Sequence, residues 1–267
     1  LLEDALGWDK ARQMAVDHKA KAFNSLFNLL SKPNPDDIEV IYEERRFEAF
    51  WHIVGTSEFE YKKRNRYQVP VTAEVVDLEA LGQKFEINQN TRSFTLESLE
   101  HCKENYREEL MIDANIDQSG NFSKYLTAPK RQINSTEELS ADGTPVVYLE
   151  TRATTLVREV LAKLVKPIKA DQIIEENIVI SELSLYFYPV YTFEFLWKSK
   201  NKKSTLSFDA VTTEVDFKAT KITDTLRKSF TNDDLFEFSK EIAQNIVPGG
   251  GLAVMLGKKA LEMTKKQ

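Results

Sequence analysis

The chain has 267 residues, 42% of them hydrophobic and 10% aromatic; that much apolar surface offsets the entropy of ordering and excludes a disordered chain. A formal net charge of −6 argues against a general polyanion binder, whose affinity rests on many Lys and Arg at phosphates. A single cysteine, Cys102, excludes an intrachain disulfide and favours a reducing, cytoplasmic compartment.

From Asp9 to Leu30 the pattern predicts a long amphipathic helix, with Trp8, Ala11, Ala15, His18, Ala22, Leu26 and Leu29 on one face. Lys32-Pro33-Asn34-Pro35 stops it, because proline lacks an N–H and restricts the residue before it. Strands are then expected at Ile38 to Tyr42, Phe47 to Ile53, Glu58 to Tyr61 and Tyr67 to Val76, with shorter ones at Phe85 to Ile87 and Arg92 to Leu96. Leu99 to Ile112 reads equally as helix or strand. Asp113 to Gly143 is irregular, with turn signals at Gln118-Ser119-Gly120-Asn121 and Ala141-Asp142-Gly143.

A second helix is predicted from Thr155 to Val165, stopped by Lys166-Pro167. Strands follow at Ile178 to Leu183, Leu185 to Trp197, Ser204 to Phe208 and Glu214 to Phe217. Asn232 or Thr231 caps a helix carrying Leu235, Phe238, Ile242 and Ile246 on its apolar face. Pro248-Gly249-Gly250-Gly251 breaks it, and a short last helix runs from Leu252 to Met263.

The order of elements suggests an internal repeat: helix, Lys-Pro stop, short apolar segment, aromatic strand. Phe47–Ile53 lies over Phe187–Phe193, and the basic run from Lys62 to Arg66 over that from Lys198 to Lys203. The expected fold class is therefore α+β. It has two similar halves, 1–112 and 146–222, each an amphipathic helix packed on a small antiparallel sheet. An irregular connector, 113–145, joins them, and C-terminal helices occupy 223–267.

Tyr191-Thr192-Phe193-Glu194-Phe195, a polar turn, and Ser207-Phe208-Asp209-Ala210-Val211-Thr212-Thr213-Glu214-Val215 form a strand–turn–strand pattern. This stretch of about 45 residues resembles a PepSY-type module, with Thr213 where that family usually has glycine. The resemblance implies a small non-enzymatic, regulatory module.

No motif predicts catalysis or a cofactor. His101 and Cys102 are neighbours whose side chains point to opposite faces if the segment is a strand, and His18, His52 and His101 lack metal-site spacing. Asp113-Ala114-Asn115-Ile116-Asp117 alternates oxygens as a calcium loop does, but Gln118 stands where glycine is needed and Lys124 where an acid is needed. The glycine run before Gly257-Lys258-Lys259 departs from the P-loop in spacing and in Lys259, and reads as a hinge.

The expected function is non-catalytic protein binding or scaffolding, tested first at Trp51, Tyr191, Trp197 and Met255. One alternative is a small-ligand binder or hydrolase with a groove between the halves. The other is a nucleic-acid accessory role through the basic turns, carried by Lys62, Lys63, Arg64, Lys200 and Lys202. No membrane span is predicted, though the last helix with its lysines suits peripheral contact with a membrane surface or docking on a partner. A start at Leu1 rather than Met leaves room for a trimmed leader or an upstream domain.

Overall fold

The computed structural model describes residues 1–23, 33–133 and 137–217 and the backbone of 252–254. In chain order the elements are α1 (Trp8–His18), β1 (Ile38–Pro70), β2 (Asp77–Ala80), β3 (Gln83–Glu86), β4 (Ser93–Asp113), β5 (Gln118–Ser119), α2 (Ser123–Leu126) and α3 (Glu137–Ser140). There follow α4 (Ala153–Leu164), β6 (Gln172–Trp197), β7 (Lys202–Asp209), β8 (Val215–Asp216) and β9 (Leu252–Val254). Single 3₁₀ turns lie at Lys21–Phe23, Pro35–Asp37 and Lys198–Lys200.

β1 runs for 33 residues without a turn, about six times an ordinary strand. The sequence reading divides it at Val54-Gly55-Thr56-Ser57, where Gly55 lies in the strand beside a bulge, and at two charged runs, Glu43-Glu44-Arg45-Arg46 and Lys62–Arg66. Neither run contains the Gly or Pro that would turn the chain, and charged side chains alternate faces as readily as apolar ones. Bulges in the pairing with β6 at Val40/Tyr42, Val54/Gly55 and Glu60/Tyr61 absorb the accumulated twist. Likewise β4 resolves the ambiguity at Leu99 to Ile112 as strand, because its exposure alternates residue by residue over most of its length.

These strands form one antiparallel sheet in the order β5-β4-β1-β6-β7-β8. This overturns the expected two halves. β1 and β6, assigned to different halves, are neighbours from Ile38↔Trp197 to Lys62↔Gln172. Ala49 of the supposed first copy pairs directly with Phe187 of the second. Two long antiparallel partners with aromatic alternation resemble each other because they line the same core.

The helices also pack crosswise. On one sheet face, α4 places Ala153, Leu156, Val160 and Leu164 against Phe47, Ala49, Trp51 and Ile53 of β1. Further along the same face, α1 places Ala11 and Ala15 over the β6 residues Tyr191, Phe193 and Phe195. Its small side chains admit Trp8, whose ring lies 5.2 Å from that of Tyr191. α1 ends at His18, so the predicted helix is cut short; residues 24–30 of that prediction lie outside the described residues. α4 ends one residue short of the prediction, with Val165 extended ahead of Lys166-Pro167.

The segment read as a connector closes the opposite face. Phe122 stacks on Phe50 at 4.3 Å, and Leu2, Tyr188 and Val190 complete this smaller core. Buried Asn115 stitches the same segment to β1: its Oδ1 accepts from the N–H of Ala49, and its Nδ2 donates to the carbonyls of Val147 and Tyr148. At the chain's end, Leu252–Val254 is a strand on Ile178–Ile180 of β6, not the start of a helix. β7 pairs only with Val190–Trp197 and leaves that stretch of β6 open to a strand. The rest of the expected C-terminal helices lies outside the described residues.

Candidate functional site

β6 ends its pairing at Lys62, but β1 and β4 continue together to Pro70↔Ser93. The result is a two-stranded arm, eight residues on β1 (63–70), tipped by the β2–β3 hairpin. Ring contact between Phe85 and Phe94, 4.9 Å apart, ties the tip to the arm. Cross-strand pairs hold the arm's faces: Lys63 Nζ lies 3.3 Å from Glu100, and Arg66 Nη2 lies 2.9 Å from Glu97. Tyr67 and Leu99 stay half-exposed.

At the arm's root, the chain leaving α4 folds back toward β1. The N–H of Asp171 donates to the carbonyl of Lys62 at 2.9 Å, and the N–H of Arg64 donates to Asp171 Oδ2 at 2.5 Å. Between this return segment and the sheet opens a groove of about 560 Å³. Its walls carry Lys63, Arg64, Lys166 and Lys169, with one carboxylate, Glu104. Pro167 and Ile168 add an apolar patch.

Glu104 is fully engaged. Its Oε1 accepts from the hydroxyl of Tyr61 at 2.5 Å, and its Oε2 accepts from the hydroxyl of Tyr106. The Tyr106 bond first, and the Tyr61 bond next, hold the Glu104 carboxyl below the usual range. Reciprocally, Glu104 pushes both phenols upward, so all three groups keep their ordinary charge states at neutral pH. The Lys166 ammonium sits over the Tyr106 ring, 5.4 Å from its centroid. This geometry offers binding groups without a nucleophile poised beside a base.

The structure separates the predicted site residues. Trp51, Tyr191 and Trp197 are core: each is at most 4% exposed, and each polar tip is bound internally. The donors pair Trp51 with the Thr151 carbonyl, Tyr191 with Asp4 and Trp197 with Asp37. A partner reaches none of them without unfolding the sheet. Met255 lies outside the described residues. Lys62, Lys63 and Arg64 stand within β1 rather than in a turn, the last two lining the groove. Lys200 does sit in the turn between β6 and β7, and Lys202 opens β7 beside it, at the other end of the sheet. Lys62 lies 24 positions along β1 from Ile38, which is beside Trp197, on the order of 80 Å along the strand. The two basic segments therefore form no common surface.

Sequence reasoning took Lys166 only as part of a helix stop, and missed Lys169 and the Tyr61–Glu104–Tyr106 clamp. The alternation of Glu104 and Tyr106 on one strand face was the available signal. The calcium-like run is a turn in which Asp113 accepts from the Asn115 N–H and Asp117 from the Thr151 hydroxyl. Among the described residues, no cluster of three His, Cys, Asp or Glu is arranged to hold a metal, and no helix is long and apolar enough to cross a membrane. Comparison with known proteins returns no matching family, no matching curated protein and no matching solved structure.

Proposed function

We propose that the chain binds another protein, taking an acidic extended segment of that partner as an added strand along the arm. The observation that carries this reading is the outer edge of β1 from Arg64 to Gln68, which has no strand beside it among the described residues. The carbonyl of Lys62 and the N–H of Arg64 both turn outward, since both meet Asp171. By alternation, Arg66 and Gln68 also turn their backbone groups outward. Pro70, lacking an N–H, closes the run at a position where an edge tolerates it.

A bare edge is a template for a further strand. Arg64 makes the start of this one cationic, Arg66 being paired with Glu97, and Asp171 already places a carboxylate on it. Complementarity of charge and backbone therefore favours an acidic, extended partner.

The test is titration of a labelled peptide of alternating Glu and Val into the full chain and into Gln68→Pro, which removes one outward donor. The reading expects saturable binding that the proline weakens at least fivefold, with an unchanged circular dichroism spectrum. Equal binding by both proteins, or none by either, overturns it.

A further inference from the structure

The groove at the root of the arm points to a second ligand class, distinct from a partner's strand. We infer that it is a binding site for a small multivalent oxyanion, of phosphate or polycarboxylate chemistry. Four cationic residues line it against one carboxylate, in a chain whose net charge is −6.

In an acidic protein, convergent cations ordinarily find carboxylate partners. The nearby carboxylates are committed elsewhere. Glu100 takes the Lys63 ammonium, the Asn65 amide and the Tyr67 hydroxyl. Asp171 takes the backbone N–H of Arg64. Glu104 takes two phenols. Among the described residues, no carboxylate lies within ion-pair distance of Arg64, Lys166 or Lys169.

Lys166 and Lys169, lining one space without a carboxylate partner, raise the local potential and concentrate anions there. Glu104 stays charged at the same wall, so a monoanion gains little while a ligand bearing several charges gains from each cation. The volume of about 560 Å³ suits a small molecule rather than a polymer groove. Lys166 and Lys169 supply mobile point charges that adjust to a ligand's oxygens. The Tyr–Glu–Tyr clamp fixes the floor beneath them.

The experiment is calorimetric titration of the full chain at low ionic strength, with inorganic pyrophosphate in one series and citrate in another. Saturable one-to-one binding of either anion is expected, weakened about tenfold or more in the Lys166→Gln/Lys169→Gln variant. Both lysines are on the surface, so the fold survives their replacement. Lys200→Gln/Lys202→Gln, at the far end of the sheet, and Gln68→Pro are expected to bind like the parent. Preference for pyrophosphate assigns a phosphate ligand; equal binding assigns a general oxyanion. Absence of saturable binding, equal loss in the near and far lysine variants, or tighter binding of a single-stranded oligonucleotide than of either anion overturns the inference.

Discussion

Gly55 and Leu164 meet so closely that a Cβ on the glycine would lie 2.6 Å from Leu164 Cδ1. Val160 Cγ1 would lie at 2.8 Å and Ile180 Cδ1 at 3.1 Å. α4 therefore seats on β1 where β1 has no side chain, beside a bulge in the β6 pairing. Leu164 and Val160 are fully buried, and Val160 is stiff at χ1, so neither swings aside. Gly55→Ala is expected to destabilise the fold by about 1–3 kcal/mol through overpacking. Urea denaturation checks this; a midpoint unchanged from the parent would show that α4 shifts at no cost.

Buried His52 is held from both flanking strands. Its Nε2 lies 2.8 Å from Glu109 of β4, and its Nδ1 lies 2.9 Å from Glu182 of β6. The bond from His52 is the largest influence holding the Glu109 carboxyl below its usual range. A depressed carboxylate stabilises the fold above its unfolded pKa and loses that contribution as pH falls through the folded one. In His52→Leu, the Glu109 carboxyl is expected to titrate closer to the ordinary range, and the fold to lose about 1–3 kcal/mol at neutral pH. NMR titration of Glu109 is the check, and an unmoved titration would remove His52 as the cause.

Asp113 behaves in the opposite sense. Burial first, and the nearby charge of Glu48 as a further contribution, push its carboxyl upward, against bonds from the Asn115 and Ile116 backbones. With a raised folded pKa, its contribution is most favourable at low pH and is lost as pH rises through that value. Asp113→Asn keeps the acceptor for the Asn115 N–H and removes the charge. The variant is expected to match the parent at pH 3 and to be the more stable of the two at pH 7. Denaturation at both pH values decides it; a gain of the same size at both would mean packing, not charge.

Trp51 separates the core role from a surface role. Its Nε1 donates to the Thr151 carbonyl at 3.0 Å, joining β1 to the segment before α4. Trp51→Phe keeps most of the buried ring and is expected to cost about 1–2 kcal/mol, while Trp51→Ala costs about 3–5 kcal/mol. Thermal unfolding of both variants measures the difference. An alanine variant as stable as the parent would contradict burial and return this residue to the surface.

Much of the local structure was legible. The stripe of Val160 and Leu164 marked α4, and Lys166-Pro167 marked its end within one residue. Aromatic alternation marked the central parts of β1 and β6, and the Asn201 turn between β6 and β7 followed from its polar, basic residues. Charged runs were misread. Lys62–Arg66 looked like a turn because strands seldom carry four charges in five residues, yet at an arm both faces meet water, and Lys63 and Arg66 find cross-strand partners. Leu252–Val254 was misread for a different reason: three apolar residues carry no period, and an open stretch of β6 supplied the pairing.

By itself, the sequence determined where chain segments are extended or helical, because those preferences are set by neighbours within a few residues. It determined that the chain has an apolar core and that its one thiol stays unpaired within the chain. Only the tertiary structure decided that β1 lies beside β6, making one sheet of what read as two halves. Only there do Arg64 and the Lys166–Lys169 segment come to one groove. Backbone pairing between distant strands depends on register, turns and cross-strand packing taken together, and local periodicity encodes a strand's faces without naming its neighbour.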